Sequence, residues 1–125
     1  MKVLALDFGS ARTGVAVSDP TGTLARPLTT IERATTAAGF AKLRAVIEAE
    51  QPELVVVGMP LTLRGEHGEQ AQATEAFVEQ LRTAIAAPVE MYDERFTSVL
   101  AGGDDARAAA HLLEGYLERW QTRGG

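Results

Sequence analysis

Two apolar runs of strand length, KVLALDF and TGVAVS, open the chain four residues apart. So short a connection allows a hairpin and forbids the long crossover that joins parallel strands. The first run stays apolar until it ends at Asp7, as expected of a strand buried on both faces. A third run, LARPLTTI, contains Pro27, which cannot donate to a ladder and so places that strand at a sheet edge. Downstream the period changes. Residues 36–50 carry Phe40, Leu43, Val46 and Ile47 at helical spacing, and Gln51-Pro52 ends that helix. ELVVVGMP is short, β-branched and bounded by prolines, the strongest parallel-strand signal in the chain. Ala73, Phe77, Leu81 and Ile85 predict a second helix, and VEMY after Pro88 a last strand. Ala109, Leu112, Leu113, Tyr116, Leu117 and Trp120 form one stripe of a last helix. The order β-β-β-α-β-α-β-α predicts an α/β fold: a five-stranded mixed sheet in order 3-2-1-4-5, with strand 2 antiparallel to the rest and helices on both faces.

Bulk properties narrow the function. The 125 residues suit one domain spanning 1–125, and 46% hydrophobic residues are enough for a core. The absence of cysteine excludes disulfides and thiolate metal sites. No apolar run approaches the ~18 residues of a membrane span, and the opening segment lacks the pattern of a signal peptide. The expectation is a cytoplasmic protein with no membrane partner. Net charge is −5, and the excess is uneven. Residues 1–50 hold six Lys/Arg and five Asp/Glu, whereas residues 51–125 hold six and twelve. Broad coating of a polyanion is therefore not expected. A nucleic-acid partner would need a local basic groove, or cations that neutralise a carboxylate cluster.

Three carboxylates end three elements. Asp7 closes the first strand, Glu94 of the triplet DER closes the last strand, and Asp105 falls on the apolar stripe in the first turn of the last helix. Sites in α/β sheets form outside the carboxyl ends of strands. Each acid also has a plain structural use. Asp104 and Asp105 complement a helix N-terminus, Asp7 suits a turn, and Glu94 can pair with Arg95 or Arg12. Together, however, three acids at one place repel one another unless a cation joins them. Oxygen ligands without His or Cys suit Mg²⁺ or Mn²⁺ rather than zinc. Such clusters carry out two-metal phosphoryl transfer, with ions roughly 3.5–4 Å apart. His67, in a glycine-flanked loop, and His111, on the polar side of the last helix, read as solvated. No Ser-His-Asp arrangement is legible. A strand rather than a helix follows the glycines of DFGSARTG, which excludes a dinucleotide fingerprint.

The motifs LALDFGSARTGVAVSD, VVVGMPLTLRGEHGEQA, DERFTS and DARAAAHLLEGYL together resemble the YqgF family, also called RuvX, whose older name sets it beside Holliday junction resolvases. The resemblance covers nearly the whole chain. It implies a ribonuclease H-like fold and a metal-dependent nuclease that matures the 5′ end of pre-16S rRNA. By position, Asp7, Glu94 and Asp105 match the catalytic acids that hold Mg²⁺ or Mn²⁺, expected as two ions. Arg12 and Arg95 match the motif arginines, suited to phosphate. Gly58 and Pro60 match the loop after the fourth strand, and Gly9 and Gly14 are read as letting the backbone turn closely. Thr62 departs from the usual Asn of that loop. DERFTSVLAGGDDARAAA is short: between Thr97 and Asp104 it lacks the helix and basic loop that members usually carry. The implied partner is nucleic acid, either precursor rRNA or branched DNA, bound by a monomer or weak dimer. Three rival readings are a Holliday junction resolvase, which needs a dimer, an actin-like ATP phosphotransferase, which needs a second lobe, and a non-catalytic nucleic-acid-binding module.

Overall fold

The computed structural model describes residues 1–9, 11–59, 69–93 and 105–122. β1 (Val3–Asp7) sits at the centre of the sheet, antiparallel to β2 (Arg12–Ser18) and parallel to β4 (Leu54–Met59). β3 (Ala25–Glu32) lies outside β2 and antiparallel to it, and β5 (Val89–Asp93) lies outside β4 and parallel to it. The order β3-β2-β1-β4-β5, with β2 alone reversed, is the one expected. Pro27 is on an edge strand as predicted. The ladder shifts register opposite it, between Val15 and Ala16, where its missing N–H breaks the regular pairing.

The helices divide between the faces. α1 (Ala37–Glu50) and α2 (Glu69–Ala84) cover one face, and α3 (Asp105–Thr122) the other. α1 begins where the Thr36 hydroxyl accepts the Gly39 N–H at 3.1 Å, satisfying an otherwise orphaned donor. It ends where Gln51 turns left-handed (φ 50°) and donates its N–H to the Ile47 carbonyl, after which Pro52 prevents continuation.

The two cores differ in grain. On the α1/α2 face Leu4, Leu6, Phe8, Val15 and Val57 meet Leu43, Ile47, Phe77 and Leu81, with Phe8 stacked on Phe77 at 4.4 Å. On the α3 face the strands offer smaller side chains, among them Val3, Ala5 and Ala16, to Ala109, Leu112 and Leu113. Small residues let a helix lie close to the sheet, and that closeness positions the site.

Candidate active site

β1 alternates its side chains between faces, so Val3, Ala5 and Asp7 all belong to the α3 face. Asp7 is directly paired with Gly14 of β2. Gly14 is in turn the strand position over which α3 begins. A Cβ there would overlap the carbonyl group of Asp105 and lie 2.9 Å from the Ala106 nitrogen. Asp7 and Asp105, 98 positions apart in the chain, are therefore brought to the two sides of one missing side chain. The expectation for Gly14 needs correction. It is not a turn residue but a mid-strand residue whose lack of a Cβ admits the helix, and a glycine inside an apolar strand run was the available signal. Gly9 does serve the turn: a Cβ on it would come within 2.6 Å of the Arg12 carbonyl oxygen.

Arg12 starts β2 on the same face, and its Nε lies 3.1 Å from Asp105 Oδ2. The partners expected for this guanidinium from the sequence were phosphate or Glu94; the pairing with Asp105 was not among them. Gly58 is buried in β4, one step past the Leu6–Val57 pair and thus level with Asp7, with Tyr92 of β5 on its other side. Glu94, Arg95 and Pro60, together with Thr62, His67 and the Thr97–Asp104 segment, lie outside the described residues. His111 is exposed as expected, 3.3 Å from Glu114. Thr13 was not singled out by sequence analysis. Its hydroxyl is fully buried next to Arg12 in the chain and has no hydrogen-bond partner among the described residues.

Among the described residues no group of three metal-ligating side chains assembles, and those residues include two of the three expected ligands, Asp7 and Asp105. The donor chemistry nevertheless fits a hard divalent cation. The two carboxylates supply oxygen only, and a cationic group, the Arg12 guanidinium, already stands on one of them. Asp105 is partly buried, which strengthens its interaction with any nearby charge relative to open water.

A mixed sheet in order 3-2-1-4-5 with an acid, Asp7, at the carboxyl end of its central strand is the ribonuclease H-like arrangement. Solved structures support the fold. Thermus thermophilus RuvC in complex with a Holliday junction substrate superposes with a TM-score of 0.63 at 18% identity, covering 100% of this chain and 96% of that one. Fowlpox virus resolvase bound to Holliday junction DNA gives 0.61 at 12% identity, covering 96% and 99%. The sequence defines the family. The model of "RuvX: Holliday junction resolvase" matches residues 1–119, and the chain belongs to that family. A Moorella thermoacetica relative named "Putative pre-16S rRNA nuclease" is 38% identical over 139 aligned positions, covering 99% of both chains. Those 139 positions exceed this chain's 125 residues, so the relative has segments that this chain lacks. A Chloroflexus aurantiacus relative of the same name is 46% identical over 99 residues, which span 79% of this chain and 65% of the relative.

Proposed function

We propose that this protein is a divalent-metal-dependent nuclease that hydrolyses phosphodiester bonds in precursor 16S rRNA, at its 5′ end. The observation that carries the reading is the convergence of Asp7 and Asp105 over Gly14, at the carboxyl end of the central strand. The names of the relatives support the substrate.

Asp7 and Asp105 would hold the metal, Mg²⁺ or Mn²⁺ as two ions, with Glu94 as the third ligand. Bound there, such ions lower the pKa of an attacking water and stabilise the leaving oxygen. The chain's own residues provide the rest. Asp7, on the central strand with a neighbour on each side, is a fixed anchor. Arg12 and Arg95 contact the phosphate backbone and carry no base preference. Gly58 and Pro60, matched by the resemblance to the loop after the fourth strand, would contribute to substrate binding.

A second reading, cleavage of branched DNA, is favoured by the two resolvase structures that share the fold. The test is cleavage of 16S rRNA precursor and of a four-way DNA junction side by side, with Mg²⁺ and with Mn²⁺. Cutting of the precursor near its mature 5′ end, lost in Asp7→Asn, is the expected result. Junction resolution alone would establish the second reading. Binding without cutting by wild-type protein would establish a non-catalytic module.

A further inference from the structure

Arg12 and Asp105 form an unequal pair. The backbone of Asp105 is pinned, because its carbonyl and the next nitrogen pack directly on Gly14. The Arg12 side chain is 60% exposed and only its root is held: its backbone pairs with Glu32, and the Arg33 N–H donates to the neighbouring Ala11 carbonyl at 2.9 Å. One partner must stay and the other can swing away. Asp105 is also one of the three acids that would hold metal, so the guanidinium stands where a divalent ion would draw its ligand. A guanidinium and a divalent cation on one carboxylate repel each other, and only the guanidinium has somewhere else to go.

We propose that Arg12 is the resident cation of the metal-free site: it neutralises Asp105 until a divalent ion displaces it, and that displacement releases the guanidinium to phosphate. The proposal rests on the metal-binding reading above and extends it. Metal loading and arming of the phosphate-binding arginine are one event. By linkage, phosphate that captures Arg12 also raises the affinity of Asp105 for metal by the same factor. Arg12 is thus a positioning residue whose partner depends on the state of the site. The exchange is easy because an ion pair whose arginine is largely exposed is worth little, whereas a divalent ion shared by two carboxylates gains from both.

The test needs no turnover. Mn²⁺ binding, followed by the paramagnetic resonance of the free ion, is measured for wild type, Arg12→Ala and Arg12→Gln. Arg26→Gln, which removes an exposed charge from β3, is the control for net charge. In parallel, the Arg12 Nε–H resonance is followed during a Mg²⁺ titration. Removing the resident cation should tighten Mn²⁺ binding about two- to fivefold in both Arg12 variants, the scale of an exposed ion pair. Arg26→Gln should bind as wild type does. The Nε–H resonance should move and saturate over the same Mg²⁺ range that raises the melting temperature. Weaker Mn²⁺ binding in the Arg12 variants would mean that Arg12 orients Asp105 for metal, which overturns the proposal and leaves the metal site standing. A stationary Nε–H signal at saturating Mg²⁺ would overturn it in the same way. No Mn²⁺ binding by any form would overturn the metal reading and this proposal with it.

Discussion

At one end of β2, Asp19 closes the turn into β3; at the other, Arg12 meets Asp105. Asp19 is filled by its neighbours. The Thr21 hydroxyl donates to Oδ2, and the N–H groups of Thr23 and Leu24 donate to Oδ1 at 2.8 Å each. These bonds, the Thr21 hydroxyl foremost, hold its carboxyl well below the ordinary carboxylate range. Ser18 beside it is equally settled, accepting the Val3 N–H at 2.8 Å and donating to the Asp19 carbonyl at 2.9 Å. The opposite end has a buried Thr13 hydroxyl with no partner among the described residues and an acid held by a side chain that can leave. An acid satisfied by fixed local donors has nothing left to offer a ligand. An acid satisfied by a long, exposed side chain can exchange it. At that end of β2 the two features lie on opposite faces: Arg12 faces α3 and the candidate site, whereas Thr13, like Val15, faces the α1/α2 core.

The largest effect that sharpens this contrast is on turnover. Asp7→Asn should cut cleavage by about a hundredfold or more while leaving much of the nucleic-acid binding, since it removes an interaction needed in the transition state. Asp19→Asn should leave the rate within about twofold, because that carboxylate serves only its turn. Equal losses in the two variants would erase the distinction.

Next comes Gly14→Ala. The added methyl meets backbone, not a side chain that can rotate, so α3 must shift from β2. Overpacking of this kind costs about 1–3 kcal/mol. Thermal denaturation should show that loss, and the rise in melting temperature on adding Mn²⁺ should shrink with it. An unchanged metal response would separate Gly14 from the site.

The two buried hydroxyls of β2 should respond with opposite signs. Ser18→Ala removes the partner of a buried N–H and should destabilise the protein by about 1–2 kcal/mol. Thr13→Val replaces an unpartnered hydroxyl with a methyl of the same shape and should stabilise it by about 1 kcal/mol. Denaturant melts of both variants decide the matter, and a destabilised Thr13→Val would show that its hydroxyl is satisfied.

The smallest effect is the dependence of Asp19 on pH. Its carboxyl ionises more readily folded than unfolded, so its stabilisation is present above the ordinary value of about 4 and fades as pH falls below it. The gap in melting temperature between wild type and Asp19→Ala should therefore be open at neutral pH and close toward strong acid. A gap independent of pH would refute the assignment.

The frame of the molecule was legible because its signals are periodic. The apolar runs of β1 and β4 announce strands buried on both faces, and the four-residue connection after the first allows only a hairpin. Asp7 and Asp105 were legible as breaks in that pattern, since an acid ending an apolar strand and an acid on an apolar helical stripe both need a reason. The partner of Arg12 was not legible. It depends on how closely α3 approaches β2, a distance set by Gly14 across nearly the whole length of the chain, and no local pattern encodes it. Glycine in DFGSARTG reads as a turn residue for the same reason: its role appears only when the helix arrives from elsewhere. The Thr13 hydroxyl was missed because a threonine in a β-branched strand looks ordinary until its surroundings are known.

On the reading proposed above, Asp7 and Asp105 form one metal site over Gly14. A crystal of the protein soaked in Mn²⁺, with anomalous scattering recorded at the manganese edge, tests it most directly. The expected result is an anomalous peak in coordination contact with both carboxylates, and the Arg12 guanidinium withdrawn from Asp105. A peak that contacts neither acid, or Asp105 still paired with Arg12 at saturating Mn²⁺ and no peak beside Asp7, would contradict it.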